Sequence, residues 1–124
     1  MSVNIYEPPP TPNEHPPCWQ MVIKDVFACG CPESLADDMD ARDQFGRAKY
    51  NVQLQPFNGR SAIKDAYQES LDLAVYLKQA QMEHHLKDET CIPLTQLYLG
   101  HLKTVIALHK MVVRGGIEPP TTPL

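Results

Sequence analysis

The chain of 124 residues has little of what marks membrane and secreted proteins. Its longest apolar runs, such as residues 73–77, are far shorter than the roughly 20 residues that a membrane-spanning helix needs. The N-terminal sequence MSVNIYEPPP has neither a basic region nor an apolar stretch, so we do not expect a signal peptide. These features favour a cytoplasmic protein without a membrane partner.

Positive charge is also scarce. Lys and Arg number 11 against 15 Asp and Glu, which gives a formal net charge of −4. A general nucleic-acid binder carries a basic stripe that neutralises phosphates, so this balance argues against that class. Small anionic ligands stay possible where a metal ion or a few local cations offset the repulsion.

Cysteine is limited to four residues, and no Cys-x-x-Cys pair is present. In a reducing cytosol we expect free thiols rather than disulfides. Cys29-Gly-Cys31 precedes a proline and is typical of a turn rather than of a zinc site. The sequence leaves open whether Cys29 and Cys31 have a redox or metal role.

Proline is abundant but concentrated at the ends, where nine of the 12 residues lie. We therefore predict a proline-rich flexible arm over residues 1–17, an all-α domain over 18–114 and a disordered tail over 115–124. A domain of this size is near the lower limit for a self-sufficient core. It would gain by burying a face against a second copy, so we expect a homo-oligomer, a dimer or higher.

Between the ends, apolar residues recur with the period of a helix and no strand pattern appears. The first predicted helix begins at Cys18 and ends at Gly30, and the second begins around residues 32–34 and extends to Tyr50. The third covers about residues 61–86, with Ser61 as its N-cap, and the fourth begins at Pro93. The fold class is therefore all-α, a small antiparallel bundle of about four helices with proline-rich extended termini.

Acidic residues cluster on two of these helices. Asp65, Glu69 and Asp72 are three or four residues apart in the third helix, where like charges repel. Asp37 and Asp40 have the same kind of spacing in the second helix. Mg²⁺ takes carboxylate oxygens together with waters and substrate phosphates, so these stripes predict a magnesium site inside a bundle.

One of the stripes belongs to a longer motif. Glu69-Ser-Leu-Asp72, within DAYQESLDLAVYL, resembles the second metal motif of the MazG-like, all-α nucleoside triphosphate pyrophosphohydrolases. The stretch FGRAKY followed by a Pro-Phe-Asn-Gly-Arg loop is similar to small phage and prophage proteins related to that superfamily. The resemblance covers about residues 34–84. If the chain is encoded by a phage, we expect it in the host cytoplasm.

The resemblance implies a Mg²⁺-dependent enzyme that cleaves a nucleoside triphosphate to a monophosphate and pyrophosphate. Glu69 and Asp72 would be its catalytic metal ligands. The family's earlier Glu-x-x-Glu is absent here, and either Asp37-Asp-Met-Asp40 or Asp40-Ala-Arg-Asp43 replaces it. We prefer Asp37 and Asp40, because Asp43 has Arg47 four residues on as a partner for an ion pair.

The remaining predicted site residues would contact the nucleotide. Lys49 and Arg60 are cations placed to meet phosphates near helix ends, and Tyr50 and Tyr76 are rings that can stack on a base. Ordinary surface charge and aromatic packing are the competing interpretations of these four residues.

Two other functions are compatible with the same residues. The bundle can bind or sequester a nucleotide or cyclic nucleotide without cleaving it, as a phage accessory protein would. Alternatively, the chain is a helical dimeric interaction protein with a proline-rich arm.

Overall fold

A computed structural model describes residues 7–84 and 88–114, and within these ranges it contains four α-helices and no strand. They are α1 (Cys18–Ala28), α2 (Glu33–Tyr50), α3 (Ala62–His84) and α4 (Asp88–Val113). The all-α prediction with four helices is confirmed. The predicted tail over 115–124 and the last two residues of the predicted third helix lie outside the described residues.

The chain divides into two compact units. One, which we call the short-helix unit, comprises residues 8–60 and holds α1 and α2. The other, the hairpin unit, comprises Glu7 and the described residues from Ser61 onward, and it holds α3 and α4. The acidic residues of the predicted metal site are therefore distributed over both units.

In the short-helix unit, glycine and asparagine end the two helices. Gly30 has φ +75°, and the Cys31 backbone N–H donates to the Val26 carbonyl at 3.1 Å, which is the closure expected of a helix ending in a left-handed residue. Asn51 has φ 59°, and its backbone N–H donates to the Arg47 carbonyl at 2.7 Å. The predicted end of the first helix at Gly30 is confirmed.

The part of the predicted flexible arm from Pro8 to Pro17 is hydrogen-bonded to the loop that follows α2. Gln55 Nε2 donates to the carbonyls of Asn13 and His15 at 2.6 and 2.9 Å. Asn13 Nδ2 donates to the Pro56 carbonyl at 2.8 Å. Because prolines lack an N–H, amide side chains supply donors that the backbone of such a segment does not have.

In the hairpin unit, α3 and α4 are antiparallel, and three side-chain contacts set their register. The rings of Tyr67 and His109 are 5.7 Å apart, Lys78 Nζ lies 4.4 Å from the Tyr98 ring, and Gln81 Nε2 donates to Thr95 Oγ1 at 2.8 Å. From Tyr67 to Gln81 along α3, the partners on α4 run from His109 to Thr95, which is the same number of residues in the opposite direction. Antiparallel packing is the arrangement expected of consecutive helices joined by a short connection.

The N-terminus of α3 is capped as the sequence predicts. Ser61 Oγ accepts a hydrogen bond from the Lys64 backbone N–H at 3.3 Å, which satisfies one of the free donors of the first turn. The Ser61 backbone N–H in turn donates to Glu7 Oε2 at 2.8 Å. A side chain from the proline-rich end of the chain therefore belongs to the hairpin unit.

The predicted start of the fourth helix at Pro93 is wrong, because α4 begins at Asp88 and Pro93 lies inside it. A proline in a helix interior removes one backbone hydrogen bond and is normally unfavourable. Two residues before Pro93, Cys91 is half-buried, and its carbonyl accepts a hydrogen bond from Thr95 Oγ1 at 2.8 Å.

The two helices meet along a seam of residues spaced alternately three and four apart, as in an antiparallel coiled coil. On α3 the buried and half-buried residues of this seam are Ile63, Tyr67, Ser70, Ala74, Leu77, Gln81 and His84. On α4 they are Cys91, Leu94, Tyr98, His101, Val105, Leu108 and Val112. The first five α3 positions follow the helical spacing of apolar and small residues in the sequence, whereas the neighbouring apolar residues Leu71 and Leu73 are exposed.

Candidate functional site

The four carboxylates of the predicted magnesium site are all exposed. Glu69 and Asp72 lie on the outer surface of α3, away from the seam with α4. Asp37 and Asp40 lie on α2 in the short-helix unit, where Asp40 Oδ2 accepts a hydrogen bond from Gln44 Nε2 at 2.8 Å. Each pair therefore faces solvent on its own helix.

No metal-binding group is formed by residues 7–84 and 88–114. Nowhere in these ranges do three or more His, Cys, Asp or Glu side chains come together in a way that can hold a metal ion. Mg²⁺ bound through one or two carboxylates depends on substrate phosphates and waters for its other ligands. The magnesium site accordingly stays a prediction.

The predicted nucleotide-binding residues are engaged in local contacts or project into solvent. Lys49 Nζ lies 5.2 Å from the centre of the Tyr50 ring, at the end of α2. Arg60 Nη1 donates to the Pro8 carbonyl at 2.6 Å. Tyr76 is exposed on α3, in the hairpin unit. Their contact with a nucleotide also stays a prediction.

Asp43 forms the ion pair that the spacing predicts. Its two oxygens accept hydrogen bonds from Arg47 Nε at 3.1 Å and Arg47 Nη2 at 2.8 Å. The Asp43 side chain is only 5% exposed, against 40% for Arg47. This bidentate pairing engages both oxygens of Asp43.

All four cysteines are free thiols. Burial raises the pKa of the Cys18 thiol above its ordinary value, and this effect outweighs a backbone hydrogen bond that lowers it. A raised pKa leaves less of the reactive thiolate near neutral pH. Cys18 is therefore poorly suited to act as a nucleophile.

A different feature of the hairpin unit has the geometry of a binding surface. The α4 seam residues can be labelled a and d of a seven-residue repeat, with Cys91, Tyr98, Val105 and Val112 at a. Each b position is then occupied by a large aliphatic residue. These residues are Ile92, Leu99, Ile106 and Val113. They are between 41% and 66% exposed, although the b position of a two-helix hairpin is normally polar.

Helix α3 contributes apolar residues to the same side of the hairpin. With Tyr67, Ala74 and Gln81 as the a positions of α3, Leu71 occupies an e position and Val75 and Met82 occupy b positions, and the three are between 39% and 67% exposed. The other e and b positions of α3 hold Lys64, Gln68 and Lys78. One open groove is lined by the g residues Leu73, Leu97 and Thr104, so the g side of α3 adjoins the g side of α4. The e and b sides therefore adjoin on the opposite side, as expected of antiparallel helices.

We call this surface the apolar flank and define it by seven residues: Leu71, Val75, Met82, Ile92, Leu99, Ile106 and Val113. If a large apolar side chain buries roughly 90 Å² when covered, the flank leaves about 350 Å² of apolar surface in water. A standard protein interface buries about 800 Å² per partner, of which roughly 60% is apolar. The flank alone provides most of that apolar area.

The sequence contains the signal for this surface in the seven-residue recurrence of Ile92, Leu99, Ile106 and Val113. The helical period alone, which assigns a single apolar face to a helix, does not include these four residues. A helix in a larger bundle needs about three apolar positions in seven, whereas a single seam uses two. An additional apolar position at constant spacing indicates a second packing partner.

Comparisons with protein-family models, with curated proteins and with solved structures give no match. The resemblance to MazG-like enzymes therefore depends on the Glu69–Asp72 motif and its neighbourhood alone. No helix among the described residues is long and apolar enough to cross a membrane.

Proposed function

We propose that this chain is a helical self-assembly protein that acts as a homo-oligomer, with the hairpin units of different copies packed through the apolar flank. The observation that carries the proposal is the exposed aliphatic residue at every b position of α4, next to the exposed apolar e and b residues of α3. This is the interaction protein that the sequence left as an alternative.

The small apolar interior formed by the described residues supports the proposal. Among the described residues, the buried apolar side chains are Ala36 and Val112. The hydrophobic effect is the main favourable contribution to folding, so a chain with so few buried apolar residues gains stability from a partner. A second copy of the same chain carries the same apolar surface and is present wherever the protein is present.

The energetics permit a specific complex. At about 25 cal/mol per Å², covering the flank on two copies contributes roughly 15–20 kcal/mol of favourable free energy to association. Association costs an estimated 4–15 kcal/mol in lost translational and rotational freedom. Covering the flank can therefore offset the cost of association.

Size-exclusion chromatography with light scattering tests the proposal. We expect the wild-type chain to have a multiple of the mass of one chain at micromolar concentration. The double substitution Leu99→Gln and Ile106→Gln removes apolar surface from the flank, so we expect this variant to dissociate to single chains.

The matched control is Leu97→Gln with Met111→Gln. Both of these residues are also exposed on α4, but they occupy g positions on the other side of the hairpin. The control variant should keep the wild-type mass. A monomeric wild-type chain, or equal dissociation of both variants, would contradict the proposal.

The Mg²⁺-dependent pyrophosphohydrolase implied by the resemblance stays a prediction, as does nucleotide binding without cleavage. Incubation with a panel of nucleoside triphosphates and Mg²⁺, followed by a pyrophosphate assay, tests the first. Calorimetry with the same nucleotides tests the second. Self-assembly through the apolar flank does not depend on either result.

A further inference from the structure

The outer edges of the apolar flank carry opposite charges on the two helices. On α3 the f positions, next to the exposed b residues, are Asp65, Asp72 and Gln79. On α4 the f positions are Gln96, Lys103 and Lys110. One edge of the flank is therefore acidic and the other is basic.

The f positions are placed to meet charges on a partner. Successive residues are about 100° apart around a helix, so the e and b positions centre about 100° from the a/d seam. The f positions lie about 70° beyond that centre. This is the relation that the e and g positions of a coiled coil have to its seam, and those positions form the ion pairs that select partners.

We propose that the apolar flank docks on the flank of a second copy through a two-fold axis parallel to the helices. The proposal rests on the proposed function and specifies its interface. The axis places α3 of each copy against α4 of the partner subunit in an antiparallel direction. The result is a four-helix bundle in which the acidic edge of one copy follows the basic edge of the other.

The register within the hairpin determines which charges meet. The contacts of Tyr67 with His109 and of Lys78 with Tyr98 place Asp72 level with Lys103 and Asp65 level with Lys110. A two-fold axis parallel to the helices leaves these levels unchanged. Asp72 therefore meets Lys103 of the partner subunit, Asp65 meets Lys110 of the partner subunit, and symmetry repeats both pairs.

The other face-to-face arrangement is opposed by the same charges. A two-fold axis perpendicular to the helices would pack α3 on α3 and α4 on α4. The acidic edge around Asp72 would then face a second acidic edge, and the edge around Lys103 would face a second basic one. Like charges across an interface suppress a wrong arrangement.

Charge reversal with sedimentation equilibrium tests the arrangement. Asp72→Lys and Lys103→Asp each place two like-charged pairs in the dimer, and we expect each substitution alone to raise the dissociation constant roughly tenfold. An equimolar mixture of the two variants restores opposite charges at both places, so it should form a heterodimer with near wild-type affinity. The double variant should likewise recover.

Glu69→Lys is the matched control. Glu69 is also an exposed acid of α3, one turn from Asp72, but it occupies a c position facing away from the flank. Its reversal should leave the dissociation constant within about twofold of the wild-type value. Circular dichroism of each variant checks that the helices are retained.

The outcomes separate this arrangement from self-assembly as such. If Leu99→Gln with Ile106→Gln dissociates the complex but Asp72→Lys strengthens it, the flank is the interface and the α3-on-α4 arrangement is wrong. If the two single reversals and Glu69→Lys behave alike, the charges do not select the arrangement and the proposal is also wrong. A wild-type chain that stays monomeric overturns the proposed function itself.

Discussion

Asp43 is a buried carboxylate whose two oxygens are both bound by Arg47, one turn along α2. Local spacing is sufficient to predict such a pair, because residues four apart lie on the same side of a helix. The burial of Asp43 depends on packing and has no signal in the charge pattern. At this scale the sequence predicts the partners, and the structure shows which of them is buried.

Replacing Arg47 with Met should lower the free energy of unfolding by about 3 kcal/mol, because it leaves the buried Asp43 carboxylate without its cation. Urea unfolding followed by circular dichroism measures the change. Arg42→Met is the control on the same helix, since Arg42 is exposed and lies over the Phe45 ring at 4.9 Å. A loss at Arg42 as large as that at Arg47 would show that burial of Asp43 does not matter.

Helices α3 and α4 show what a periodic pattern can and cannot predict at the scale of an element. The α3 seam from Ile63 to Leu77 and the Ser61 cap follow directly from residue spacing. The first five residues of α4 do not, because Pro93 is typical of a helix start, whereas α4 begins at Asp88 and continues through Pro93. The contacts of Asn13 with the loop after α2 join residues more than 40 positions apart, which no local pattern reveals.

Pro93→Ala should stabilise the protein, because alanine restores the backbone hydrogen bond that proline removes inside α4. We expect a gain of about 1–3 kcal/mol in chemical denaturation. Pro56→Ala is the comparison in a loop, where proline restricts the unfolded chain and its loss should cost about 0.4–1 kcal/mol. If Pro93→Ala destabilised the protein as much as Pro56→Ala, α4 would not be continuous through residue 93.

At the scale of the whole molecule, the main fact to be explained is that the described residues, 7–84 and 88–114, bury few apolar side chains. The sequence predicts a domain that gains from a second copy, and it does so from length alone. The structure adds the surface, because the exposed residues Leu99 and Ile106 occur at constant spacing beside the seam. The acidic stripe that suggested magnesium has a second explanation, in which Asp72 belongs to the rim of an interface.

The most direct test of this account is the solvent exposure of individual methyl groups in the native protein. In a methyl-labelled sample at high micromolar concentration, a soluble gadolinium complex broadens the NMR signals of methyl groups that water can reach. The account predicts that Leu99 and Ile106 keep their signals while Leu97, on the opposite side of α4, loses its own. Equal broadening of all three would show that the apolar flank lies open to water, and would contradict self-assembly through it.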